Sequence, residues 1–291
     1  MGANTNRLLL LAAAFLFSTG GAAIKACSLT SWQVASFRCG VAAVALVIVL
    51  PEARRSWTWR TFAVGVTYAA TMILFVLATK LTTSANAIFL QSTSPLYLLV
   101  LGPLVLHERI RRIDLLVVSA VAAGAVLLFL GSERASATAP NPALGNVLGG
   151  LTGLVWAVTL AGLRWLGRSA AGADPAAATV IAGNCIAFAA SLPFALPVTR
   201  VAPADPLVIL YLGVFQIGLA YVALTRSIRH VPALEASVLL MIEPVFNPVW
   251  TWLIHGERPS SLALAGGALI ISATSGATWW QSRSITRAKV R

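Results

Sequence analysis

Charge is what this chain has least of. Only 10% of its 291 residues are Asp, Glu, Lys or Arg, where a soluble domain carries about 25%. That scarcity excludes a water-facing surface of ordinary size. Cysteine is also scarce: Cys27, Cys39 and Cys185 are odd in number and lie in apolar stretches, so they give no disulfide framework and no metal-ligand spacing. Histidine occurs three times, at positions 107, 230 and 255, without ligand spacing. H-E-x-x-H and Walker A motifs are missing, and there is no Gly-flanked Ser with a His to serve it. We therefore expect no metal, no cofactor, no direct use of ATP and no enzyme. What the chain does have is apolar: 58% hydrophobic residues and a mean hydropathy of +0.84. Its solvent is lipid.

A helix that crosses the hydrocarbon needs roughly 20 apolar residues. Ten candidates satisfy that, approximately Leu8–Ile24, Gln33–Leu50, Thr61–Ala78, Ala85–Leu106, Ile113–Leu130, Leu144–Leu163, Ala176–Pro197, Leu207–Ile228, Ala233–Ile254 and Leu262–Trp280. The one polar, Pro/Ser/Ala-rich interruption of any length, Ser132–Pro142, divides them five and five. We expect an all-α integral membrane protein with two five-helix units, 7–131 and 144–280, a linker at 132–143 and a basic tail at 281–291. The first apolar run resembles a cleavable leader, but Val147–Arg164 is its internal counterpart, with Lys25 on Arg164 and Phe17 on Trp156. It is expected to stay as a helix.

The two halves share one unusual element. In Ala233–Arg258, Glu243 is followed by Pro244, with Asn247 and Thr251 each one turn further along the same face. An ionisable group at mid-membrane costs about 2.5–3.5 kcal/mol or more, which makes Glu243 a functional-site hypothesis. The alternative is a protonated Glu hydrogen-bonded to a neighbouring helix for packing. Shifting the numbering by 149 aligns Pro95 with Pro244 and Glu108-Arg109 with Glu257-Arg258, without a gap. Ser94 then matches Glu243, and Gln91 matches Leu240. Such internal repetition fixes architecture before any local reading.

Orientation follows from Lys and Arg at alternate helix ends. With the N-terminus inside, 15 lie on the cytoplasmic side and 5 outside (Lys25, Lys80, Arg134, Arg200, Arg258). This distribution accounts for the net charge of +12 without nucleic acid. Five helices per unit is odd, so the second unit enters the membrane inverted. We expect ten transmembrane helices as two inverted-topology five-helix repeats in the inner membrane, both termini cytoplasmic. Inverted repeats mark secondary transporters, with the site near the midplane between them.

Two five-helix repeats, each with Pro midway in the fourth helix and Glu-Arg at its end, resemble the EamA-type transporters of the drug/metabolite transporter superfamily. HGERPS at 255–260, LHERI at 106–110 and WQVASFRCGVAAVAL at 32–46 carry the resemblance. The branch most alike overall is the YddG-type aromatic amino acid exporters. The resemblance implies a ten-helix exporter of small metabolites with a central cavity and alternating access. His107 stands where the family usually has Gly, and the first repeat lacks a mid-membrane acid. That second departure puts in doubt a proton-coupled mechanism needing paired carboxylates.

The expected substrate-binding residues are Glu243, Gln91, Ser94, Asn247, Tyr97, Trp156, Tyr68 and Arg38. Glu243 suits a substrate ammonium or a proton. Gln91 and Ser94 enter by repeat equivalence to the Glu243 face. Tyr97, Tyr68 and Trp156 could form an aromatic wall, although each alone reads equally as core or lipid-facing. Arg38 either meets a substrate carboxylate or snorkels to headgroups or a carbonyl. The expected partners are a small molecule, an amino acid or similar metabolite, and membrane lipid. The chain is expected to be a monomer or weak oligomer. A lipid-carrier flippase and a channel-like facilitator are the rival readings, and an intramembrane enzyme a more distant one.

Overall fold

A computed structural model describes residues 3–51, 53, 57–101, 112–131, 135–168, 175–228, 239–240 and 242–289. Every regular element among them is helical. The Glu108-Arg109 motif, positions 132–134 of the linker and the start of the ninth expected helix lie outside them. The helices are α1 (Ala3–Ser18), α2 (Gly20–Ala26), α3 (Ser31–Val49), α4 (Trp59–Leu81), α5 (Ser84–Gln91), α6 (Ser94–Leu101) and α7 (Arg112–Leu130). In the second half come α8 (Pro142–Arg168), α9 (Pro175–Ala195), α10 (Asp205–Tyr211), a π-helical turn Leu212–Leu219, α11 (Ala220–Ile228), α12 (Ile242–His255) and α13 (Ser261–Lys289). Among the described residues, six stretches are long and apolar enough to cross a membrane: Thr5–Ala26, Ser31–Val49, Trp59–Leu81, Pro142–Leu163, Pro175–Ala195 and Asp205–Leu224. Leu115–Leu130 and Ser261–Ala273 are shorter apolar helices.

Local chemistry sets the helix starts. Thr30 and Gln33, and again Thr58 and Thr61, exchange side-chain and backbone hydrogen bonds as capping boxes. Thr83 caps α5 by accepting from the Asn86 amide. Inside the helices, threonine hydroxyls are satisfied by the carbonyl one turn back, as at Thr71, Thr79 and Thr152. Such internal satisfaction is what a lipid environment demands. The bundle surface is correspondingly apolar, with Leu8, Ile48, Leu116, Phe194 and Leu253 all exposed.

The fourth expected helix, Ala85–Leu106, departs from its sequence reading. It is broken at Ser92 and Thr93, between α5 and α6. Pro95 lacks an amide hydrogen and its ring crowds the Gln91 carbonyl. Ser92 and Thr93 then bond back to the Ile88 and Leu90 carbonyls, completing the break. The π-helical turn in the eighth segment has no counterpart in the sequence reading. α13 continues to Lys289, through the stretch read as a tail.

Packing between the halves is reciprocal. The third helix of the first half packs on the first helix of the second (α4 on α8), and the third segment of the second half packs on the first of the first (α11 on α1). Likewise α5 and α6 lie on α8 as α12 lies on α1 and α2, and α4 meets α9 as the π-helical turn meets α3. Contacts α3 with α9, α7 with α13 and α5 with α12 pair equivalent elements directly. Without a hydrophobic drive between helices in lipid, close backbone approach through small residues holds such pairs. The α7–α13 crossing shows this, because a Cβ on Gly124 would sit 2.7 Å from the Gly266 carbonyl oxygen and one on Gly266 2.6 Å from that of Gly124.

Candidate functional site

Glu243 is the second described residue of α12 and is half-buried. Among the described residues no hydrogen bond or ion pair reaches its carboxylate. Its electrostatic neighbour is Tyr221 on α11, which also lies within reach of the Arg38 guanidinium. Tyr221 hydrogen-bonds Tyr68 of α4, and their rings meet edge-on at 5.4 Å. Phe17 of α1 meets the other side of Tyr221 at 5.1 Å. Tyr68 is fully buried and accepts from Asn184 Nδ2 of α9 at 3.2 Å.

Arg38 completes this cluster from α3. It is 1% exposed and donates to the Met72 carbonyl at 2.9 Å. Pairing with a backbone carbonyl was one of the alternatives open to it in sequence, and the Met72 carbonyl is such a partner. Its Nε has no partner and no acid neutralises it among the described residues. Five elements, α1, α3, α4, α11 and α12, thus bring a carboxylate without a partner among the described residues, a guanidinium without an acidic partner among them, and three aromatic rings around one hydroxyl pair. Tyr221 was missed in the sequence because it stands in an apolar run, where an aromatic residue does not stand out.

The other expected residues are distributed differently. Gln91 closes α5 half-buried, with no side-chain partner among the described residues. Ser94 is buried at the start of α6, and Tyr97 donates to the Gly150 carbonyl of α8 at 3.4 Å. Trp156 is half-buried on α8 and has no ring partner among the described residues. Asn247 does not share the Glu243 cluster: it is fully buried and its Oδ1 accepts from Ser84 Oγ of α5 at 2.5 Å. On the α1 side, α12 is held by Trp250, which donates to Ser18 Oγ at 3.0 Å and packs edge-on against Phe15. Two grooves open beside these elements. One of about 530 Å³ is walled by Leu11, Phe15, Leu16, Ile242 and Phe246. The other, about 390 Å³, is walled by Leu29, Phe37, Val41 and Asp205 among others. Both are apolar, and neither has Glu243 or Gln91 in its wall.

At the opposite end of α4 from its first turn, a second polar cluster joins both halves. Lys25 Nζ, at the end of α2, lies 2.8 Å from Glu257 Oε1, and both side chains are 3% exposed. Lys25 also donates to the carbonyls of Thr82 and Thr138. Glu257 Oε2 accepts from the Ser84 amide at the first turn of α5, 2.8 Å away. Close by, His255 Nε2 donates to the Ala22 carbonyl at 2.9 Å, and Thr82 Oγ1 donates to Asn146 Oδ1 at 2.7 Å. The sequence had shown Lys25 and Glu257 only as boundary charges.

The model of the EamA-like transporter family matches residues 6–130 and again 143–279. The pseudopaline exporter CntI of Pseudomonas aeruginosa, in strains UCBPP-PA14 and PAO1, is 26% identical over 277 residues, covering 91% of this chain and 93% of its own. A solved crystal structure, described only as that of a protein, shares the fold with a TM-score of 0.64 at 19% identity, over 96% of this chain and 98% of its own.

Proposed function

The chain belongs to the EamA-like transporter family, and from that premise we propose that it exports an amino acid or similar metabolite across the inner membrane by alternating access. The observation that carries this reading is the Glu243 carboxylate, in a proline-bearing helix and without a partner among the described residues, facing the Tyr221–Tyr68 pair and an Arg38 that has no acidic partner among them. A zwitterion offers an ammonium for Glu243 and a carboxylate for Arg38, and rings at Phe17, Tyr68 and Tyr221 favour an apolar or aromatic side chain. Gln91, Ser94 and Tyr97 of the first repeat and Trp156 of the second line the rest of the path. That a relative is named an exporter supports the direction of transport.

The reading includes ten spans in two inverted repeats, 7–131 and 144–280, with both termini cytoplasmic. Reciprocal packing between the halves supports the inversion, as a two-fold axis in the membrane plane requires. The test is counterflow in proteoliposomes with a panel of labelled amino acids. Glu243→Gln keeps the shape and removes the charge, and is expected to lower transport by about 100-fold or more, the usual scale for an unpaired charge contact of 2–5 kcal/mol. Wild-type rates in folded Glu243→Gln would reduce the residue to packing.

A further inference from the structure

The Lys25–Glu257 cluster does none of the work assigned to Glu243, yet it is buried and bonded from both halves. We infer that it is the outer gate: Lys25 and Glu257 latch α2 to the α12–α13 connection, and Gly21, Ser84 and Asn247 form the pinch that the latch holds shut. This inference rests on the alternating-access reading above.

Geometry singles out the pinch. Gly21 of α2 faces Ser84 and Asn247 so closely that a Cβ there would sit 1.8 Å from Ser84 Oγ and 2.5 Å from Asn247 Oδ1. Three helices from both halves, α2, α5 and α12, therefore meet at one point, where the Ser84 and Asn247 side chains fill the space that the absent side chain of Gly21 leaves. Asn247 Nδ2, fully buried, has no partner there. Just beyond, Glu257 accepts from the Ser84 amide with one oxygen and pairs with Lys25 through the other. One carboxylate thus ties the first turn of α5 to the end of α2. Two further bonds, His255 to Ala22 and Thr82 to Asn146, cross the same end.

The latch is connected to the cargo cluster by a single helix. Asn247 lies one turn, about 6 Å, after Glu243 on α12, and Pro248 follows within the helix. A shift of α12 on cargo binding is felt directly at Asn247. In the sequence, the repeat equivalents of Lys25 and Glu257 are Arg164 and Glu108, which keep the same charges. The complementary pair is a property of the repeated unit.

The test uses full-length chain with Cys27, Cys39 and Cys185 replaced by serine and Ser84→Cys as reporter, in sealed vesicles of both orientations. A membrane-impermeant maleimide is the probe. Relative to this parent, Lys25→Met and Glu257→Gln are each expected to raise the labelling rate about tenfold or more, the scale of a 1–3 kcal/mol shift between two states. The exchange Lys25→Glu with Glu257→Lys is expected to return it towards the parent. Glu257→Gln is isosteric and serves where Lys25→Met does not fold. Labelling within about twofold of the parent in folded Glu257→Gln and Lys25→Met overturns the gate. Failure of the unsubstituted protein to move any cargo in proteoliposomes overturns the transporter reading instead, by a measurement independent of labelling.

Discussion

The pinch at Gly21 gives the sharpest quantitative handle on this mechanism. Replacing Gly21 with Ala places a methyl 1.8 Å from Ser84 Oγ, 2.5 Å from Asn247 Oδ1 and 3.0 Å from Asn247 Nδ2. Comfortable contact begins near 3.5 Å, so the Ser84 side has to retreat by roughly 1.7 Å. Rotating the serine hydroxyl away does not solve the problem, because Asn247 still crowds the methyl from the other helix. Nor can α5 slide freely, since its Ser84 amide is held by Glu257. Overpacking of this kind costs about 1–3 kcal/mol. Only the closed arrangement bears that cost, so the balance between closed and open shifts by roughly 5- to 150-fold.

Gly21→Ala should therefore label faster at the Ser84→Cys reporter and turn over more slowly, wherever return through the closed state limits the cycle. A compensating change sharpens the assay. Ser84→Gly removes the nearest atom, so the Gly21→Ala, Ser84→Gly pair should recover part of the lost transport, as a double-mutant cycle in proteoliposomes would register. Gly21→Ala with wild-type transport, wild-type labelling and an unchanged melting temperature would refute the reasoning, because the close approach would then be absent in the membrane.

Two further outcomes are expected. Arg38→Met removes a buried guanidinium that has no acidic partner among the described residues, so melting should stay level or rise, while transport of a carboxylate-bearing cargo falls by about tenfold or more; a loss of folding with normal transport per folded molecule would make Arg38 purely structural. C-terminal fusions should be active with a cytoplasmic reporter and silent with a periplasmic one, and the reverse pattern would sink the orientation and, with it, the description of the Lys25 end as outer.

Much of the frame could be read from the residues alone because it rests on local rules. The proline pair, Pro95 and Pro244, with the Glu-Arg ends that follow, revealed the repeat, and the break between α5 and α6 falls where Pro95 crowds Gln91. The extent of that break was less accessible, because it also depends on Ser92 and Thr93 turning back to their own helix. The π-helical turn was not legible at all: a stretch that is apolar but for Gln216 looks the same at either helical period. It is fixed by packing, where Gly213 lies against Val41 and the Arg38 carbonyl.

Helical periodicity put Asn247 on the same face as Glu243, but it could not say what that face meets one turn further on. There it meets Ser84. The Lys25–Glu257 pair joins residues far apart in the chain, and in sequence each had a sufficient topological explanation as a charge at a helix boundary. Tyr221 failed to stand out for a related reason. Aromatic residues are common in apolar helices, and only its position between Tyr68, Phe17 and Glu243 distinguishes it.

The chemistry chosen for the latch suits a transporter better than a stronger one would. A buried ion pair roughly repays the desolvation of its two charges, so its net contribution to the closed state is small even though losing one partner is costly. When the end opens, water can solvate Lys25 and Glu257 together, and little free energy is lost. An apolar plug of the same size would instead expose its surface to water on every cycle, at about 25 cal/mol per Å². The pair therefore enforces register, bringing Ser84 and Asn247 against Gly21, without deepening the closed state beyond what cargo binding at Glu243 can overcome. A ligand shifts an equilibrium only by its differential affinity for the two states. A shallow latch on the helix that carries Glu243 is the arrangement in which a small metabolite, with few contacts to offer, can still reverse the bundle.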